Sequence, residues 1–338
     1  MRNLKQMIKR LYAAVSPQYR KILALEQSIR RTEQNMVAFQ TRNQNMLWFL
    51  MAERTRNLSI EEAQKNFWIN YPKATGDLKI IQDANLYLLR CLSDICRDLG
   101  ITFWLHGGSL IGALRHQGFI PWDDDVDLGM LRKDLAILMK HLETDARFQV
   151  FLAYHDDHTF SRAYQFKMRD ESYCCFIDIF VFDYYSGEPD DFPKLFSTIR
   201  NEMVGTFLTM LNKPDPEYVA YHFAKYDPVE CEKIAQLVEK SLEKIKYQSA
   251  ADYVYYSIEN YPFPYFLMTI DDIFPCVSVP FEDISLNIPA NPKLYLKGYG
   301  DFWQIPRDMG QPAHYDYYEP HIDYLKAYLE RAKGEGVR

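Results

Sequence analysis

Pro121-Trp122-Asp123-Asp124-Asp125-Val126-Asp127-Leu128 places four carboxylates within five positions, against apolar residues of strand type. Side chains of an extended chain alternate, so Asp123, Asp125 and Asp127 are expected on one face while Val126 and Leu128 turn into a core. Carboxylates at this spacing suit a hard divalent cation, Mg2+ or Mn2+, which is held by a few carboxylates together with substrate phosphates. The competing reading is a solvated acidic surface loop, but such a loop has no reason to run on into a buried strand. Further along, Asp178 is a lone carboxylate inside the apolar run Cys175 to Phe182. Its burial is costly unless a cation or a proton compensates it, and on a neighbouring strand it would complete the cation site.

Upstream, the short apolar run Ile101 to Leu105 reads as a buried strand, and His106-Gly107-Gly108-Ser109 turns it into a helix from Leu110 to Arg115. Free backbone N–H groups and a hydroxyl at a helix start are the usual means of holding a phosphate. Val126 to Met130, the alternating Arg162 to Arg169 and Cys175 to Phe182 are strand-like, which predicts a small mixed sheet. Leu78 to Leu99 repeats at helical spacing and stops at Gly100. The fold class expected is α+β, a mixed sheet flanked by helices, with residues 190–260 mainly helical and the Pro- and aromatic-rich segment from Phe274 to Pro312 wrapping the core as loops.

With 48% hydrophobic and 25% charged residues the chain is an ordinary globular sequence. No window reaches the apolar length of a membrane-spanning helix, and residues 1–30 lack a secretory signal, so a cytoplasmic protein is expected. Six cysteines at irregular spacing form neither a disulfide framework nor a zinc pattern. The net charge of −7 is unevenly spread: residues 1–56 carry eleven Lys/Arg against three acids, a local +8 that leaves −15 for the remainder. An acidic body argues against nucleic acid as a partner.

The basic segment has apolar residues at Leu4, Ile8, Leu11 and Val15, then at Ile22, Leu25 and Ile29. Two helices broken near Ser16-Pro17 fit that pattern. Either the arm is amphipathic and touches an anionic membrane surface, here the inner face, or it is a coiled-coil or helical-hairpin element that makes a homo-oligomer. The apolar spacing does not continue as a heptad past Ile29. The expected division is an arm over 1–72, a catalytic domain over 73–320 with a helical insertion at about 190–270, and a C-terminal helix or tail over 321–338.

A Gly-Ser turn, an Asp-x-Asp on a strand and a third Asp form the pattern of the polymerase β-like nucleotidyltransferase superfamily. The whole stretch from His106 to Asp127 resembles the signature of the LicD family, which includes bacterial phosphocholine transferases and is similar to fukutin and its relative. Lys167-Met168-Arg169-Asp170 with Phe176 to Phe180 resembles that family's second block, and Tyr295 to Pro306 its C-terminal block. The resemblance covers about residues 80–320 and implies a nucleotidyltransferase fold. It also implies transfer of an alcohol phosphate, phosphocholine first, from a CDP-linked donor to a glycan hydroxyl on lipopolysaccharide, teichoic acid or capsule.

On this reading Asp125, Asp127 and Asp178 are metal ligands, with Asp123 a third ligand or an orienting carboxylate and Asp178 alternatively the general base. Gly107, Gly108 and Ser109 contact donor phosphate, and Arg115, Lys167 and Arg169 are charge clamps on the leaving CMP. His106 and His116 are candidate proton shuttles, while Tyr299, Trp303, His314 and Tyr315 could line the alcohol or acceptor site. Competing functions are transfer of NMP from an NTP, transfer of ribitol or glycerol phosphate, and a noncatalytic scaffold that recruits glycan machinery.

Overall fold

The computed structural model of the 338-residue chain describes residues 17–55, 58–155, 160–211, 217–219, 223–245, 251–260, 266–306, 309, 312 and 314–334. The first helix expected in the arm and the last four residues of the tail lie outside the described residues. Two compact units divide the chain. One ends at Phe67 and also takes Trp303–Ile305; the other covers Trp68–Phe302 and continues from Pro306.

In the first unit, α1 runs unbroken over Pro17–Arg54. Proline is tolerated there because the first helical N–H has no intrahelical partner. A second helix, α2 (Ile60–Ile69), whose residues up to Phe67 belong to this unit, starts with a Ser-x-x-Glu box, in which the Ser59 hydroxyl and backbone N–H both donate to Glu62 (2.7 and 2.8 Å). Trp48 is fully buried edge-on to Phe67 with ring centroids 5.3 Å apart, and its indole N–H donates to Gln304 Oε1 at 2.9 Å. Gln44 donates to the Ile305 carbonyl at 2.8 Å.

The second unit opens with α3 (Gly76–Leu99), whose buried stripe includes Ile81, Leu88, Leu89 and Leu92. Gly100 ends it in the left-handed conformation, φ 66°. Then follow β1 (Phe103–Leu105), α4 (Gly107–His116), β2 (Asp127–Leu131), α5 (Arg132–Leu142), β3 (Phe148–His155), β4 (Ser161–Met168) and β5 (Phe176–Tyr185). After them come α6 (Phe192–Leu211), β6 (Glu217–Val219), β7 (Phe223–Lys225), α7 (Pro228–Glu243), β8 (Tyr253–Tyr256) and β9 (Leu267–Thr269). The nine strands form one sheet in the order β1-β2-β5-β4-β3-β7-β6, with β8 paired to β5 and β9 to β8. Among the described residues only β2 and β5 run parallel, and this mixed sheet flanked by helices is the α+β architecture expected.

Residues 190–270 are less helical than expected. Between and beyond α6 and α7 lie four strands of three or four residues, too short to show a periodicity of their own. The tail segment likewise holds a hairpin, β10 (Val277–Phe281) with β11 (Ile284–Ile288), where loops were expected. Its signal was present: Val277, Val279, Phe281 and then Ile284, Leu286, Ile288 alternate at period two. The C-terminal helix α8 (Ile322–Gly334) buries Leu325 and Ala332. All six cysteines are free, and no helix among the described residues is long and apolar enough to cross a membrane.

Candidate active site

The acidic stretch reaches its place by strand pairing. Asp127 opens β2 and stands in register with Asp178 across the parallel pair, while Gln165 of β4 is in register with Asp178 from the other side. The alternation expected for residues 123–128 is present, although regular strand begins only at Asp127: Asp123, Asp125 and Asp127 are half-buried, whereas Asp124, Val126 and Leu128 are buried. One oxygen from each of Asp123, Asp124 and Asp125 lies within 4.8 Å of the others. The trio expected to bind metal, Asp125, Asp127 and Asp178, is not that group, though Asp125 raises the pKa of both other members.

Burial first, and then the charge of Asp125, hold the Asp123 carboxyl well above the ordinary carboxylate range. Asp127 is raised by burial, then by Asp125, Asp178 and Asp123. Burial pushes Asp178 up to about 7, opposed by the Gln165 amide, which donates to its Oδ1 at 3.0 Å. A set of hard oxygen donors that resist ionisation together is what a divalent cation would relieve, so the residues fit such an ion.

Asp124 has a different task. It is fully buried, and its two oxygens accept from the His314 backbone N–H (2.8 Å) and ring Nδ1 (2.9 Å). Burial works against charging His314, but the bond to Asp124 and the nearby Asp125 outweigh it and raise its pKa. Helix α3 holds the same loop by its backbone. Asn85 donates to the Asp124 carbonyl (2.8 Å), and Gln82 to those of Asp123 (2.8 Å) and Ile120 (3.1 Å). Sequence reasoning missed Asp124, Gln82, Asn85 and Gln165. The available signal was two amides, Gln82 and Asn85, inside the apolar stripe of α3.

The glycine turn faces the carboxylates. At Gly107, with φ +48°, an added Cβ would lie 2.7 Å from Asp127 Oδ2; at Gly108 it would lie 2.9 Å from Asp123 Oδ2. The Gly108 N–H bonds to Asp127, so the positive end of α4 is directed at the acidic site. Ser109 is buried and its Oγ accepts from the Asp127 backbone N–H at 2.9 Å. In this structure the contacts of the turn are with these carboxylates.

The three expected clamps are placed apart from this cluster's hydrogen bonds. Arg169 donates to the Asp145 (2.7 Å) and Leu142 (2.9 Å) carbonyls at the end of α5, where a helix leaves carbonyls without partners. Arg115 is buried with its guanidinium 3.6 Å from the Trp68 ring centroid and donates to the Phe302 carbonyl at 3.0 Å; burial lowers its pKa to about 10. Lys167, two residues beyond Gln165 on the same face of β4, lies 5.3 Å from the centroid of the Phe151 ring, and burial lowers its pKa.

His106 is pushed down to about 3 by burial and bonds Tyr295 through Nδ1 at 2.6 Å; His116, at about 4, bonds the Trp68 carbonyl at 3.0 Å. Burial thus favours the neutral imidazole at both positions. Tyr299 does reach the site: its hydroxyl lies 3.2 Å from the Cβ position of Gly107, and burial together with Asp127 raises it to about 12. Tyr315 donates to Asp77 (2.9 Å) in an exposed contact. Trp303 belongs to the first unit, 6.0 Å from the Lys65 ammonium.

Residues 100–201 match the family model described as LicD/FKTN/FKRP, nucleotidyltransferase domain. The lipopolysaccharide cholinephosphotransferase LicD of Haemophilus influenzae is 49% identical over 49 residues, 14% of this chain and 18% of that protein. The human ribitol 5-phosphate transferase FKRP is 58% identical over 47 residues, 14% of this chain and 10% of its own length. An uncharacterized protein of Rickettsia typhi is 31% identical over 87 residues, 25% of this chain and 26% of its own length. The matched segments thus span between 10% and 26% of these relatives.

Proposed function

We propose, from the match of residues 100–201 to the LicD/FKTN/FKRP nucleotidyltransferase model, that this chain transfers a phosphorylated alcohol, phosphocholine foremost, from a CDP-linked donor to a hydroxyl of a cell-surface glycan. The observation that carries this reading is the convergence of Asp123, Asp125, Asp127 and Asp178 at one end of the parallel pair, beside the start of α4. The cholinephosphotransferase and ribitol-phosphate relatives support the substrate class.

Asp123 and Asp125, with Asp127 beside them, would hold a Mg2+ or Mn2+ ion, which when bound neutralises the pyrophosphate oxygens. Asp124, each of whose oxygens accepts one bond from His314, would anchor the loop that carries these ligands. The Asp178 carboxyl, oriented by Gln165 through Oδ1, takes the proton of the acceptor hydroxyl on its other oxygen. The acceptor oxygen forms the new bond to phosphorus, the bond to CMP breaks, and CMP departs with the electron pair. Tyr299 flanks the reacting groups from the C-terminal block. A cytoplasmic location is part of the same proposal.

Isothermal calorimetry with CDP-choline, CDP-ribitol, CDP-glycerol, CTP and ATP, each with and without Mg2+, tests this. Metal-dependent binding of a CDP-alcohol above CTP is expected, and Asp125→Asn should remove turnover while the protein stays folded, because one charge fewer relieves repulsion. Preference for a triphosphate would move the assignment to NMP transfer, and no binding at all would favour the scaffold reading.

A further inference from the structure

The long helix α1 carries a heptad repeat on the side its own unit leaves uncovered. Counting Ile22 as position a, the a positions continue through Ile29, Met36 and Leu50, and d positions fall on Leu25, Phe39 and Met46. These seven apolar side chains are between 50% and 63% exposed. The repeat weakens at Thr32, which is why it looked finished after Ile29, and then resumes on the same helix. Within its own unit α1 uses the opposite side: Gln44, Trp48 and Ala52 occupy b, f and c, and Trp48 and Ala52 are the buried pair.

We infer that α1 pairs in parallel with α1 of a second copy of this chain, as a two-stranded coiled coil. In its first turns the seam has Ile22 and Ile29 at a with Leu25 at d, the combination that favours two parallel strands. Asn43 falls at an a position, where in register it meets the same residue of the other copy, a device that selects two strands at some cost in stability. The flanks agree. Lys21 at g faces position e of the next heptad in the other copy, Glu26, and Asn35 likewise faces Gln40; no like charges are opposed from Lys21 to Leu50, and Glu53 at the following d position would meet its own copy, which ends the seam there. The stripe from Ile22 to Leu50 spans 29 residues and is about 43 Å long, enough for a stable pair. A membrane surface fits it less well. The stripe widens toward its end, where Leu47 at e and Phe49 at g are also exposed, but its rim mixes Glu26 and Glu33 with Lys21 and Arg42, whereas an interfacial helix has a broad apolar face bordered by Lys and Arg.

Sedimentation equilibrium of the full chain at micromolar concentration should give the mass of two chains. Ile29→Lys combined with Met36→Lys should halve that mass while the melting of the sheet-containing unit stays the same. Leu25→Cys should cross-link into a disulfide dimer on mild oxidation, whereas Arg31→Cys, at an outward c position, should cross-link no more than the parent chain. A monomeric parent, a dimer indifferent to the double substitution, or a dimer in which Leu25→Cys fails to cross-link each overturns the proposal. So does a monomeric parent that binds phosphatidylglycerol vesicles through Ile29 and Met36, which would make a lipid surface the occupant.

Discussion

At Gly107 the backbone is left-handed, φ +48°, and a side chain would stand 2.7 Å from Asp127 Oδ2. Gly107→Ala should therefore destabilise the protein by about 1–2 kcal/mol. It should also weaken cation binding, because Asp127 must move. Thermal denaturation and a Mg2+ titration read the two effects separately, and unchanged cation affinity would show that the turn does not position this carboxylate. Arg169 gives the opposite test. Its guanidinium closes the end of α5, so Arg169→Met should cost about 1 kcal/mol of stability and leave donor binding intact. A large loss of donor affinity would return it to the role of a phosphate clamp. Local sequence marked Asp123, Asp125, Asp127 and Asp178 as costly residues beside apolar strand. It could not separate Asp124 from them, since only the distant His314 makes Asp124 a structural anchor.

Helix α3 is legible as an amphipathic element, yet its contribution to the site is two polar residues in the apolar stripe. Asn85 is fully buried and its amide N–H donates to the Asp124 carbonyl. Asn85→Ala should cost about 1–3 kcal/mol by leaving that carbonyl unsatisfied. Urea unfolding measures the loss, and a change within a few tenths of a kcal/mol would mean that the acidic loop is held by other bonds. Among the strands, β2, β4 and β5 announced themselves by composition and alternation. The three- and four-residue strands within 217–269 did not, because they are defined by the neighbours they pair with.

Beyond the acidic site, the second unit is tied together by a buried ion network. Glu259, fully buried on the segment after β8, bonds both Arg132 at the start of α5 and Arg162 of β4, and Arg132 also holds Asp183 of β5 at 2.7 and 2.8 Å. Burial alone would raise the Glu259 carboxyl, but the two guanidinium groups overcome it and keep it below its ordinary value of 4.5. With the folded value the lower one, this stabilisation is complete above about pH 4.5 and is lost as pH falls through the folded value. Urea midpoints measured from pH 7 downward should fall over that range. The drop should flatten in Glu259→Leu, which itself costs roughly 3–5 kcal/mol because buried Arg162 loses its carboxylate and Arg132 keeps only Asp183. A variant with the parent's acid profile would remove Glu259 from the account. The sequence by itself determined the secondary elements around the acidic stretch, the alternation that sorts Asp123, Asp125 and Asp127 from Val126 and Leu128, and the family signature, because these depend on neighbours along the chain. Which distant residues meet came from the folded chain: Asp178 beside Asp127, Arg115 against Trp68, Arg169 at the end of α5, and His314 on Asp124. Each of those contacts joins residues far apart in sequence, and no local periodicity encodes which distant partner will satisfy a buried charge.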